Sequence, residues 1–283
     1  MTDPKYAKQT GRGRYYTDPK GGPDLVSVTN VLSVGVAKHA IPPWAVKLTA
    51  EWVLEHRIEV ARRAVVDREA LLKEIKAVHR NASEKAMDLG SRIHHRAHMM
   101  ALGAPYPDDP AVDPYARQLV LFWQRWDVDI AEDILAAEMT FLHRRLGYAG
   151  TGDVVMLLRT GRRWVRGRRA KQAWLIDYKS SATRPASSVY PEYTLQLAAL
   201  RYAETVLLPD DSEMPVPPVH CTGILNLRSR SHALVPMPGN RRAHRAFRGA
   251  LETTKWLHAA ESTYPALLPP VTEDDARSNR KAA

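Results

Sequence analysis

The amino-acid sequence predicts an α/β protein in which a helical lobe precedes a core built on a central mixed β-sheet flanked by helices. Three observations carry that expectation. Apolar residues recur at helical spacing in the first part of the chain, and the period switches to strand-like alternation near residue 134. Three strand-like segments then follow in succession, trailed by a helix, a further hairpin and a last helix. With 283 residues and 45% hydrophobic content the chain can bury one substantial core.

In order along the chain, residues 1–24 are rich in Gly, Pro and charge and read as a flexible basic arm. "LVSVTNVLSV", 25–34, begins with β-branched alternation, which predicts a short strand turning into a helix. After Pro42-Pro43 a helix is expected to carry Trp44, Leu48, Trp52 and Ile58 near one face. Asp67 is expected to cap a helix to about Val78, and Ser83 to cap another through "EKAMDLGSRIHHRAHMMALG". Asp113-Pro114 reads as N-cap and first residue of a further helix. "ILAAEMTFLH", "GYAGTGDVVMLLR" and "AWLIDYK" are the three strands, the first two joined by a turn around Arg145–Gly147. "SSVYPEYTLQLAALRYAETVLL" reads as a helix, "HCTGILNLR" with "HALVPM" as a hairpin, and "RRAHRAFRGALETTKWLHAAES" as the final helix. The expected organisation is one domain over 25–264, with the helical lobe about 44–132 and the α/β core about 133–264. Residues 265–283 are expected to form a flexible tail.

No stretch approaches the roughly 20 apolar residues of a membrane span, and the N-terminus lacks the apolar centre of a signal peptide. A cytoplasmic protein without a membrane partner is expected. Cys221 is the sole cysteine, which excludes an internal disulfide and a cysteine-ligated iron–sulfur cluster. The net charge of +10 points to a polyanion. It is concentrated in "RTGRRWVRGRRAK", 159–171, with seven basic residues, no acid and Trp164, and in a second set, Arg228, Arg230, Arg241, Arg242, Arg245 and Arg248. Either run alone reads as a solvated surface. Together, on both sides of a candidate active strand, they favour nucleic acid.

That strand is "WLIDYKSSATRP", 174–185. Side chains alternate along a strand, so Asp177 and Lys179 share one face while Tyr178 points to the other. Asp153 sits in the preceding apolar strand, where a lone carboxylate is costly. If the two strands pair antiparallel, Asp153 and Asp177 come together with Lys179 close by. Two carboxylates repel unless a cation joins them, and oxygen ligands with open water positions suit Mg²⁺ or Mn²⁺. Such an ion polarises a phosphate oxygen and lowers the pKa of a bound water. Phosphodiester hydrolysis is the chemistry this set favours.

Asp153, then Asp177-Tyr178-Lys179, resembles the PD-(D/E)XK nuclease superfamily, with Gly152 where its name has proline. "GSRIH", 90–94, resembles the helical Gly-x-x-x-His motif of the RecB-like exonuclease branch, "AEMTF" offers Glu138, "YTLQLAAL", 193–200, resembles its Gln motif, and "LVSVTNVL" the opening segment of phage and bacterial members. The matches span about 25–205. The resemblance implies a restriction-endonuclease-like core and metal ligation by His94, Asp153, Asp177 and the Tyr178 backbone carbonyl. It implies that Lys179 positions and activates the attacking water, that Glu138 binds metal or organises its water, and that Gln196 supports the catalytic strand or contacts DNA. Where the branch often carries Tyr, this chain has Leu200, with Tyr193 and Tyr202 as imperfect substitutes. Relatives with an iron–sulfur cluster need four cysteines, so that feature is not shared.

Blander readings stand beside these. His95 and His98 read as surface histidines, since a zincin needs Glu directly after the first His. His94 alone would read as a core histidine, but Gly90 one turn earlier permits close strand approach. Asp153 and Lys179 alone would read as a salt bridge. An inert cluster of three acids and one lysine is the poorer account. The expected function is a metal-dependent DNA nuclease, favouring an exonuclease on linear ends in recombination, repair or phage DNA processing, with a recombination or replication protein as possible partner. The alternatives are a structure-specific endonuclease or nickase, and a non-catalytic DNA-binding module. DNA contacts are expected from Arg162, Arg163, Arg168 and Arg169, from Arg241, Arg242 and Arg245, and from Ser180 and Tyr193.

Overall fold

The structure is a computed structural model and describes residues 4–208, 210–260 and 264. Its elements run β1 (Ala7–Thr10), β2 (Gly13–Tyr16), β3 (Leu25–Ser27), α1 (Val28–Val34), α2 (Ile41–Glu55), α3 (Arg57–Val66), α4 (Arg68–Ala101), α5 (Asp113–Arg125), α6 (Ile130–Asp133) and β4 (Ile134–His143). They continue with β5 (Tyr148–Leu158), β6 (Trp164–Val165), β7 (Arg168–Arg169), β8 (Gln172–Ser180), α7 (Glu192–Arg201), β9 (Thr205–Leu207), β10 (Glu213–Pro215), β11 (Cys221–Leu227), β12 (His232–Pro236) and α8 (Arg241–Ala259). The α/β class and the mixed sheet are as expected: ten strands join in one sheet, with β3–β5 and β8–β11 parallel and the remaining pairs antiparallel.

The sheet forks at β5. One edge of β5 is occupied by β4. The other edge pairs with β3 at residues 148–149 and with β8 at 154–158, so residues 150–153 lie where β3 and β8 part. One face of the sheet packs against α1, α7 and α8 around Phe141, Tyr148, Leu175, Leu200 and Phe247. The opposite face packs against α4 and α5 around Ile93, Phe122, Trp123, Ile176 and Tyr178.

Several local expectations are corrected. Of the expected arm, the described residues 4–24 are not loose: β1 and β2 form a hairpin that adds to the sheet edge through β3. Tyr16 is buried, and Asn30 Nδ2 latches the hairpin turn by donating to the Arg12 carbonyl at 2.8 Å. The two helices expected around Asp67 and Ser83 are one, α4, because the Ser83 hydroxyl bonds back to the His79 carbonyl at 2.9 Å and interrupts nothing. Asp67 makes no side-chain cap bond. The helix after Pro43 breaks at His56, so Ile58 belongs to α3 and is exposed, and neither α2 nor α3 buries a residue fully. Val112 is the N-cap of α5, one residue before Asp113. The helix expected through 208 ends at Arg201, and Thr205–Leu207 instead extends the sheet beside β4. The expected tail, 265–283, lies outside the described residues.

Candidate metal centre

The register places three acids in one row. Ala137 pairs with Val154 and Met139 with Gly152, so Glu138 stands opposite Asp153. Val154 pairs with Ile176, so Asp177 is next in line on β8. Glu138 adopts a left-handed backbone with φ of 53°, which strains a residue with a Cβ. Such strain concentrates at sites where a side chain is re-aimed, and Glu138 lines the cavity in the fork.

That cavity, about 260 Å³, is where both faces of the sheet become reachable from one space. α4 contributes Gly90 and His94, α7 contributes Gln196 and Leu200, and the strands contribute Glu138, Asp153, Asp177, Lys179 and Ser180. His94 Nδ1 lies 3.0 Å from Asp153 Oδ1. Asp153 Oδ2 accepts the Tyr178 backbone N–H at 2.6 Å, where β8 peels from β5. His94, Glu138 and Asp153 each offer a ligand atom within 4.8 Å of the others. Of the expected ligands His94, Asp153, Asp177, Glu138 and the Tyr178 carbonyl, Asp177 is not one of those three. Its Oδ1 accepts from Gln196 Nε2 at 2.6 Å, and its Oδ2 pairs with Lys179 Nζ at 2.5 Å.

The electrostatics separate the two aspartates. Burial alone would raise the Asp153 pKa, but His94, Lys179 and the Tyr178 N–H outweigh it and hold the group below its ordinary value. For Asp177 burial prevails over Lys179, and its pKa is raised. Burial opposes charge on His94 and on Lys179, yet the neighbouring carboxylates win and raise both pKa values. Asp153 is therefore the committed anion, and Lys179 a committed cation.

One imidazole and two carboxylates make a nitrogen–oxygen donor set that fits a divalent ion, with the nitrogen favouring Mn²⁺ over Mg²⁺. Tyr178 turns its side chain into the α4–α5 core and meets the His94 ring edge-on at 6.1 Å. Tyr193 lies under Lys179, with the amine 5.0 Å from the ring centroid. Leu200 fills the space against Gly150, and Tyr202 packs toward His244 instead of the cavity. Gly90 is not sterically required, since a methyl there would meet Ser180 Oγ at an ordinary 3.6 Å. None of Arg162, Arg163, Arg168, Arg169, Arg241, Arg242 and Arg245 lines the cavity.

Sequence reasoning missed Arg14, Tyr16 and Thr29, which wall the cavity from the N-terminal side. The Tyr16 hydroxyl is 2.9 Å from Thr151 Oγ1. The signal was the segment "AKQTGRGRYY", two short runs around a Gly-containing turn. No family model matches the chain, and no curated protein matches it.

Proposed function

We propose that the chain is a metal-dependent DNA nuclease that hydrolyses phosphodiester bonds, with a restriction-endonuclease-like core and an exonuclease mode. The observation that carries this reading is the row of Glu138, Asp153 and Asp177 in the fork, with His94 completing a ligand triad and Lys179 beside it. His94, Glu138 and Asp153 would hold Mg²⁺ or Mn²⁺. When bound, that ion supplies phosphate polarisation and a water of lowered pKa.

The protein's own groups do the rest. The carboxylates of Asp177 and Asp153 raise the Lys179 pKa against its burial. Its amine orients the attacking water and counters developing phosphate charge. Asp177 fixes the Lys179 amine, and Gln196 fixes Asp177. No helix among the described residues is long and apolar enough to cross a membrane.

The test is digestion of end-labelled linear and closed circular DNA, single- and double-stranded, with Mg²⁺, Mn²⁺ or EDTA. Cleavage that requires metal and spares circles is expected. Nicking of circles would replace the exonuclease mode with an endonuclease mode, and binding without cleavage in any metal would leave only a DNA-binding module.

A further inference from the structure

The basic segment 159–171 lies at the far end of the strands that carry Asp153 and Asp177. It is built as a hairpin. Gly161 N–H donates to the Ala170 carbonyl at 2.9 Å and Ala170 N–H to the Arg163 carbonyl at 2.8 Å, which continues the β5–β8 ladder outward. Trp164 and Val165 pair with Arg169 and Arg168. Arg166 and Gly167 turn the chain with φ of 49° and 75°, the signature of a tight two-residue turn. Trp174 Nε1 and Gln172 both tie the base through Thr160. The insertion is thus a structured prong.

Its charges divide into two groups. Asp127 pairs with Arg159 and Arg168, and Asp133 with Lys171. No carboxylate among the described residues pairs with Arg162, Arg163, Arg166 or Arg169, and all four are exposed. Trp164 is 63% exposed, with the Arg169 guanidinium 5.4 Å from its ring centroid. Unpaired guanidinium groups around an exposed ring suit a phosphate backbone.

The register sets the reach. From Asp153 to Leu158 is five residues, or about 17 Å at about 3.3 Å per residue, and a further six to Trp164 extends this to at most about 37 Å. At about 3.4 Å per base pair, these distances correspond to about 5 and about 11 base pairs.

Resting on the nuclease reading, we propose that the prong is a second DNA anchor, gripping duplex roughly 5–11 base pairs from the phosphate being cut, with the duplex axis outside the protein and parallel to β5 and β8. Anchoring there holds the substrate without touching the chemistry. An exonuclease with such a grip can keep its DNA between successive cuts.

The experiment compares the wild type with R162Q/R163Q/R166Q/R169Q. Fluorescence anisotropy is read with Ca²⁺ in place of a catalytic ion, on a cross-linked duplex of about 5 base pairs and on one of about 16 base pairs. On the long duplex the variant should bind about 10-fold or more weakly, with its log–log salt slope lowered by about 2–4 units. On the short duplex the two proteins should bind alike. Equal loss at both lengths would place the loop beside the scissile phosphate or make it a long-range charge effect, and no loss at either length would place the grip elsewhere. Either result overturns the proposal, as does failure of the wild type to bind duplex. The nuclease reading is scored separately, by whether the wild type cleaves with Mn²⁺. A protein that binds with the predicted length dependence yet never cleaves would sink that reading and spare the anchor.

Discussion

Glu138 and Asp153 face each other across β4 and β5, with His94 closing the third side of the same space. Like charges placed directly opposite on neighbouring strands weaken a sheet. A divalent ion seated among the three would join the two carboxylates and the imidazole. Mn²⁺ should raise the thermal unfolding midpoint, with stabilisation of about 2.7 kcal/mol at a free concentration about 100 times the dissociation constant. Asp153→Asn should lose the shift, because it removes a triad carboxylate that its neighbours hold ionised. A midpoint indifferent to Mn²⁺, or a full shift in Asp153→Asn, would dissolve the metal centre.

Asp177 lies outside the triad, so its replacement should separate chemistry from metal binding. Asp177→Asn should cut cleavage by about 10³-fold while retaining most of the Mn²⁺ shift. Burial holds its folded pKa above the unfolded value, so the ionised group at neutral pH weighs against the fold. The neutral amide keeps an acceptor for Gln196, and the variant should melt at or above the wild-type temperature. Wild-type turnover in pure Asp177→Asn would end the nuclease assignment as drawn.

Lys179→Met tests the orienting role. Its amine touches Asp177 and lies near the Gln196 oxygen at 3.5 Å, and it is not a ligand. Turnover should drop about 10²–10³-fold with the Mn²⁺ shift unchanged. Collapse of metal affinity in Lys179→Met would make the residue structural.

How much of this was legible in the sequence depends on which physical signal each residue carries. Asp177 and Lys179 could be placed on one face because strand alternation is strict, and the Asp153–Asp177 register followed from two apolar strands that had to pair. Glu138 was reachable through family resemblance, but its left-handed backbone was not, since nothing in "AEMTF" marks a positive φ. The β1–β2 hairpin escaped because an edge ribbon buries so little. Among its eight residues only Tyr16 is buried, so the hydrophobic alternation that reveals inner strands is missing. Ser83 resembles a cap when read along the sequence, whereas in α4 its hydroxyl has a carbonyl one turn back to satisfy it. The basic loop was recognised by composition, but its distance from the acids emerges only once the register is known.

His244 offers a pH test away from the candidate metal centre. Its ring packs against Tyr202, Phe247 and His143, and the Tyr148 hydroxyl lies 3.2 Å from Nε2. Burial first, then His143, Arg248 and Arg241, lower its pKa to about 4. Between the unfolded value of about 6.5 and that folded value, the unfolded chain binds the extra proton. The stabilising contribution is therefore complete above pH about 6.5 and is lost as pH falls through the window to about 4. Discounted for the half-exposed ring, its size is on the order of 1 kcal/mol. Urea midpoints measured across the window should fall more steeply with acid in the wild type than in His244→Gln. Parallel curves would show that His244 is not the group responsible.

Gly152 directly precedes Asp153, and the packing leaves no room for a side chain there. A Cβ at 152 would lie 2.6 Å from Phe141 Cε2 and 3.5 Å from Leu175 Cδ1. Phe141 is wholly buried in the core beneath the acid row, so its ring has no open space to retreat into. Alanine at 152 should therefore overpack the sheet and destabilise it by about 1–3 kcal/mol. The backbone itself is not the obstacle, because Gly152 has no positive φ and sits in ladder register opposite Met139. If the clash is with the ring alone, shrinking the ring should remove it. Phe141→Leu by itself leaves a cavity and should cost about 1–3 kcal/mol, but combined with Gly152→Ala the two losses should not add, with coupling of about 1 kcal/mol or more in the double-mutant cycle. Because Gly152 precedes Asp153, the single Gly152→Ala variant should also weaken the Mn²⁺ shift, and the double variant should recover part of it. Strict additivity of the two substitutions would mean that glycine is held at 152 for a reason other than the Phe141 ring.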